Sequence, residues 1–146
     1  MGYLKSGVVA VSVCAMVAVT AYAEEKDPTV SRVPSDQRGA AKAMKNPVAK
    51  TPENIAKGKA IFEGKGTCFN CHGVSGKGDG PAGAMLNPTP RNFTNPKFHD
   101  NRTDGEMFWV IKNGSAGTAM VPLIGTAITE DEAWHVILYE RSFKGK

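Results

Sequence analysis

The sequence lacks a strong excess of charge of either sign. Its 146 residues carry 18 lysines and arginines against 14 aspartates and glutamates, a formal net charge of +4. A small nucleic-acid-binding domain needs a basic patch much stronger than this surplus. The balance therefore excludes nucleic acid as a partner, and it selects neither an acidic nor a basic protein partner.

Long apolar runs are also missing, except for one at the start. Lys5 precedes an uncharged stretch over residues 7–22, which falls short of the ~20 apolar residues of a comfortable transmembrane helix. Ala21-Tyr22-Ala23 supplies the small residues that precede a signal-peptide cleavage site. We expect residues 1–23 to be a signal peptide of an exported, periplasmic protein. The alternative is that the segment stays uncleaved as a membrane anchor.

Cysteine is scarce. The chain has three, and Cys14 lies inside the expected signal peptide, where the branched Val13 argues against a lipoprotein site. Cys68 and Cys71 remain, and a disulfide between them would close a loop too short to stabilise much. The pair is therefore better explained by chemistry than by cross-linking.

The chain after the signal divides into two parts. Residues 24–51 have few large apolar side chains and include three prolines, a composition that predicts a flexible linker or a loosely docked arm, with room for a short helix around residues 37–45. Residues 52–146 have the helix-capping and turn residues that are typical of a compact domain. Three helices are expected there, beginning near Thr51, at Thr103 or Asp104, and at Thr129. The loops between them are long for a small domain, so we expect a large flat cofactor to fill its centre.

The segment Cys68-Phe69-Asn70-Cys71-His72 is the attachment motif for haem c. Thiols three positions apart reach the two vinyl groups on one porphyrin edge, and the histidine that follows brings an imidazole to the iron. Zinc is a weaker alternative, because only His99 and His135 remain to complete four ligands. A thioredoxin-like dithiol lacks its βαβ setting. The motif therefore predicts one covalent haem with His72 as an iron ligand.

The second iron ligand is expected to be Met120. This residue lies in the loop Gly117-Thr118-Ala119-Met120-Val121-Pro122 between two predicted helices, and a flexible thioether can reach iron from such a loop. The alternatives are His99 and an open or water-bound site. The remaining candidates are less suitable, because they lie within predicted helices, close after the motif, or in the arm: Met107, His135, Met85 and Met44.

These residues together resemble those of class I monohaem cytochromes c, over residues 52–143. The resemblance rests on the haem motif, Gly80-Pro81, the Met120 loop, Trp134 and Tyr139, and it departs from many relatives at Val121, where they have proline. It implies an all-α fold of three or more helices with long loops around one haem. It also implies that Gly58 and Phe62 meet Tyr139, and that a backbone carbonyl at Pro81 supports His72.

Two further side chains are candidates for haem contacts. Arg91 suits a haem propionate because guanidinium matches carboxylate geometry, although a solvated surface arginine is an equal alternative. Trp109 can lean on the porphyrin, but an aromatic residue of an amphipathic helix more often packs in the core.

With both axial positions filled, the iron can change oxidation state but has no place for a reactant. The sequence thus predicts a one-electron carrier, not an enzyme, between redox partner proteins of a respiratory chain. The alternatives are an electron-transfer subunit of a larger oxidoreductase complex, and a haem enzyme or sensor with an open sixth position.

Overall fold

The computed structural model describes residues 1–2 and 25–146. The expected signal peptide therefore lies outside the described residues, apart from its first two. Within the described part, no helix has both the length and the apolar character needed to cross a membrane.

The described residues form an all-α fold, as the sequence predicts. They contain six helices, α1 Arg38–Ala43, α2 Pro52–Glu63, α3 Phe69–His72, α4 Pro96–Asp100, α5 Asp104–Asn113 and α6 Glu130–Arg141. Extended pairing among these residues is limited to two isolated bridges.

Three threonines set the starts of the three longest helices. Thr51 caps α2 by accepting a hydrogen bond from the Asn54 N–H, and Pro52 follows in the first position. Thr103 and Thr129 cap α5 and α6 in complete capping boxes. Each cap satisfies backbone N–H groups that have no partner inside the helix, so these local signals fix the helix starts.

The helices α2 and α6 cross at Gly58. A Cβ atom built at Gly58 would lie 2.0 Å from the carbonyl oxygen of His135, so only glycine allows this approach. One turn later Phe62, which is completely buried, meets the ring of Tyr139 edge-on with the centroids 5.3 Å apart. This is the crossing that the resemblance implies, and it forms one end of the core.

Residues 25–51 form an arm that packs along the rest of the domain. Val33 and Ala41 are each only 1% exposed, and α1 packs against α5. The close approach depends on Gly105, where a Cβ atom would lie 2.0 Å from the carbonyl oxygen of Ala41. The segment thus buries apolar surface that its composition alone does not predict.

Candidate haem site

A mostly apolar cavity of about 260 Å³ lies between the haem motif, the segment 86–93, α5, the Met120 loop and α6. Cys68, Cys71, His72 and Met120 all line it. Two thiols, an imidazole and a thioether therefore face one apolar space. This donor set fits a covalent haem with iron, whose ring would occupy the space that side chains leave open.

The His72 ring is held in one orientation. Its Nδ1 atom lies 3.1 Å from the carbonyl oxygen of Arg91, and its ring stacks on Phe93 with the centroids 4.6 Å apart. Burial lowers the pKa of His72 to about 4, so the imidazole is neutral. Because a carbonyl only accepts, Nδ1 carries the proton, and the Nε2 lone pair is left to bind a metal.

The carbonyl that supports His72 belongs to Arg91, and this corrects the expectation of Pro81. The loop that contains Pro81 folds behind the haem motif, where Gly80 and Ala82 donate to the carbonyls of Cys71 and Asn70. Pro81 itself is exposed. Its loop stabilises the backbone of the motif, whereas the segment that leads into Phe93 supports the imidazole.

The two thiols are held by the start of α3. Cys68 is the residue before α3, Cys71 lies within it, and both are free. Burial, aided by the nearby Glu140 carboxylate, raises the pKa of Cys68 to about 12, so this thiol stays protonated. Among the described residues no three histidine, cysteine or acidic side chains gather at metal-binding distances, and the zinc alternative gains no support.

Met120 is fixed in its loop by its own backbone. Its N–H donates to Thr118 Oγ1 at 3.1 Å, and its carbonyl accepts from the Ser115 N–H at 2.8 Å. Met107 of α5 lines the same cavity but is buried in the hydrophobic core. Met120 therefore combines access to the cavity with a position outside any helix.

The other candidates for the second ligand do not line the cavity. Met85 is 93% exposed, and Met44 packs at the edge of the core. His99 is engaged at both ring nitrogens, by the Phe93 carbonyl and by Arg141. His135 is buried on α6 beside α2, with Nδ1 2.9 Å from the Asp131 carbonyl.

The arm forms one wall of the cavity, through Lys26, Ser31, Arg32 and Val33. Several hydrogen bonds fasten the arm to the domain. Ser31 Oγ donates to Glu106 at 2.7 Å, Arg32 Nε donates to Ser115 Oγ at 2.9 Å, and Arg102 donates to the Pro28 carbonyl at 3.0 Å. Sequence reasoning missed these contacts because no local pattern in the arm indicates them.

Arg91 lines the cavity, but its guanidinium is already engaged. It donates to Glu25 and to the Lys26 carbonyl, both at 2.7 Å, and lies 5.3 Å from the ring centroid of Phe98. A propionate would have to share the group with the arm. Trp109, the other candidate contact, does not line the cavity and donates instead to Gln37 of the arm at 2.9 Å.

Glu140 is a cavity residue that sequence reasoning also missed. It is 6% exposed and lies on the α6 face that buries Val136 and Ala133. Its position four residues after Val136 was a readable signal, since residues at this spacing share a helix face.

The helical fold and the cavity with two thiols and an imidazole define a small protein built around one covalent haem. The Cytochrome c family model matches residues 55–144, and the chain belongs to this family. Members of the family bind haem c covalently and transfer electrons through its iron. The cofactor of this chain is accordingly haem c.

The solved structures that are similar to the chain include the following two. One is a chain of the reducing HAO-like protein complex of Kuenenia stuttgartiensis, at 32% identity and a TM-score of 0.59, matching 67% of this chain and 47% of its own. The other is cytochrome CL of the marine methylotroph Methylophaga aminisulfidivorans, at 22% identity and a TM-score of 0.50, matching 75% of this chain and 63% of its own. The match thus spans less than two thirds of either relative. No curated protein sequence matched the chain.

Proposed function

We propose that the chain is a one-electron carrier whose haem is bonded to Cys68 and Cys71 and ligated through iron by His72 and Met120. The observation that carries this proposal is that all four donor side chains line one cavity. The His72 tautomer supports it, because hydrogen bonding to Arg91 leaves Nε2 free for the iron.

The function follows from a filled coordination sphere. An iron held by an imidazole and a thioether has no free position for oxygen, peroxide or an organic substrate. The thioether also favours the ferrous state and raises the reduction potential. A haem held by these residues would supply the exchange of single electrons with partner proteins, while His72 and Met120 would hold its iron.

The partners are proposed to be redox proteins of a respiratory chain, reached in the periplasm after export. Val121 supports a contact near the haem, because it lines the cavity next to Met120 and is 58% exposed. Small and easily released interfaces suit electron carriers, which must leave one partner before meeting the next.

The ligand assignment is tested by three methionine variants of the mature holoprotein. Met120→Ala is expected to lower the midpoint potential, abolish the weak methionine-to-iron absorption band and let the reduced protein bind carbon monoxide. Met107→Leu, in the same cavity, and Met85→Ala, on the surface, are expected to keep the band. A band that survives in Met120→Ala and disappears in Met107→Leu would assign the ligand to α5.

The same experiment addresses a haem enzyme or sensor with an open sixth position. Wild-type reduced protein that binds carbon monoxide readily at neutral pH would favour that function over a carrier. A carrier with intact Met120 ligation is expected to bind it poorly.

A subunit of a larger oxidoreductase complex is the second candidate function. The relative from Kuenenia stuttgartiensis, which belongs to a protein complex, favours it. Gel filtration of the native protein distinguishes the two: a monomer after the host membranes are removed supports the free carrier, whereas co-elution with a defined larger protein supports the subunit.

A further inference from the structure

Glu140 is a buried carboxyl beside the haem motif. It is 6% exposed, lines the cavity, and acts electrostatically on Cys68. Its side chain makes no hydrogen bond or ion pair with any other residue that the structure describes. The other buried carboxyl of the cavity, Glu106, accepts hydrogen bonds from Ser31 and Thr103. Of the two buried carboxyls that line the cavity, Glu140 is therefore the one that has no hydrogen-bond or ion-pair partner among the described residues.

The cation that acts most strongly on Glu140, Arg141, is committed elsewhere. Arg141 donates to Asp104 at 2.8 Å, to the His99 carbonyl and to the Arg102 carbonyl. The positive charge of Arg141 favours the Glu140 carboxylate, more strongly than Asp104 on α5 opposes it but less strongly than burial does. The other charged side chains on the cavity walls are Lys26, Arg32, Arg91, Arg102 and Glu106.

Burial is the main influence on this carboxyl. It raises the pKa of Glu140 to about 8, because an ionised carboxylate is disfavoured where water cannot solvate it. Near neutral pH both the protonated and the ionised form of Glu140 are accordingly populated. A change in a nearby charge then has its largest effect on the fraction of Glu140 that carries a proton.

The haem supplies such a change of charge. Reduction adds one electron to the iron and removes one unit of positive charge from the cavity. Inside an apolar cavity a charge acts on a neighbouring group more strongly than in water. The loss of positive charge disfavours the carboxylate, so the group tends to take up a proton.

We propose that Glu140 binds a proton when the haem is reduced and releases it when the haem is oxidised. This inference rests on the proposed function, since it requires the haem in this cavity. The electron comes from the reduced redox partner and the proton from solvent, so that ferric haem and carboxylate become ferrous haem and carboxylic acid. No bond to the iron forms or breaks.

The proposal is tested by redox titration of the holoprotein from pH 5 to pH 10, for wild type and for Glu140→Gln. Glutamine keeps the size and the polarity of the side chain but cannot titrate. The wild-type midpoint potential is expected to fall with rising pH around pH 8, and this slope is expected to be lost in Glu140→Gln. Glu132→Gln is the matched control on the exposed first turn of α6, where glutamine can keep the capping box, and it is expected to keep the slope.

An infrared difference spectrum of the wild type gives a second readout that needs no variant. Reduction near pH 8 is expected to produce the C=O band of a protonated carboxylic acid, with a shift in heavy water. A flat potential, a slope that persists in Glu140→Gln, or the absence of this band would overturn the proposal. In each of these cases a c-type spectrum with the methionine-to-iron band would leave the proposed function standing, whereas a protein without haem would remove both.

Discussion

The Nδ1 atom of His72 donates to the carbonyl oxygen of Arg91, 3.1 Å away. A hydrogen bond on the outer nitrogen of a metal-binding histidine fixes its tautomer and raises its basicity. The Phe93 ring, two residues beyond the carbonyl, covers a face of the same imidazole. The segment 91–93 thus orients the ring before any metal arrives.

Phe93→Ala is expected to loosen His72 as well as the core. Removing a buried phenylalanine ring costs about 3–5 kcal/mol of unfolding free energy. Without the stacked ring the imidazole loses its fixed orientation, so protons displace it from the iron more easily and the acid transition of the haem spectrum moves to higher pH. Spectrophotometric acid titration of the holoprotein measures this shift.

Phe108→Ala is the control for that variant. Phe108 is similarly buried but stacks on Trp134, at 4.1 Å between centroids. The Phe108→Ala substitution is expected to lower the free energy of unfolding by a comparable amount without moving the acid transition of the haem spectrum. Equal shifts in both variants would mean that general destabilisation, and not the support of His72, sets the transition.

Gly58→Ala is expected to disrupt the crossing of α2 and α6. The added methyl would lie 2.0 Å from the His135 carbonyl oxygen, so the helices must move apart, at a cost of about 1–3 kcal/mol typical of overpacking. Chemical denaturation of the holoprotein measures the change. Gly39→Ala in α1, where a Cβ meets nothing within 4 Å, is expected to be neutral or slightly stabilising. A neutral Gly58→Ala would contradict the crossing.

The sequence predicts those features that depend on near neighbours in the chain. The starts of α2, α5 and α6 are readable because Thr51, Thr103 and Thr129 act on backbone groups within one turn. The haem motif is readable because its spacing alone carries the chemistry. Gly58 and Tyr139 required the resemblance in addition, since nothing local says which two helices cross.

Features that depend on distant residues were not readable. The Arg91 carbonyl reaches His72 across 19 positions, and any backbone carbonyl nearby fits the same chemical description. The docking of the arm depends on Gly105 and Glu106, which are far from it in sequence. The short helix α4 did have a local signal, because Asn95 caps it and Pro96 follows, but the many turn residues around it concealed the pattern.

Gly105→Ala is expected to release the arm from α5. The new methyl would lie 2.0 Å from the Ala41 carbonyl oxygen, so α1 cannot keep its position. Amide hydrogen exchange of residues 38–43 is expected to become faster, and proteolysis within residues 25–51 more rapid, while the haem spectrum stays of the c type. Unchanged exchange in α1 would contradict the contact, and Gly39→Ala again serves as the control.

His99 gives a pH dependence whose sign follows from its contacts. Its Nε2 donates to the Phe93 carbonyl at 2.6 Å, and its Nδ1 accepts from Arg141 at 3.1 Å. A proton on Nδ1 would face a guanidinium N–H. Burial, together with the charges of Arg141 and Lys144, lowers the pKa of His99 below its ordinary 6.5. The unfolded chain therefore binds the proton more readily than the native protein does.

The stability that this group contributes is present above pH 6.5 and is lost as the pH falls below it. Glu140 acts with the opposite sign over part of this range, because a carboxyl whose pKa is raised in the native state favours folding at low pH. The informative quantity is therefore the difference in the free energy of unfolding between wild type and His99→Phe. We expect the free energy of unfolding of the variant to be lower than that of wild type by about 1–3 kcal/mol at pH 7.5, because the Phe93 carbonyl and Arg141 lose their hydrogen bonds to His99. This difference is expected to shrink at pH 5.5. Urea denaturation of the holoprotein at the two pH values measures it, and a gap that stays constant or widens in acid would mean that His99 is not held neutral by Arg141.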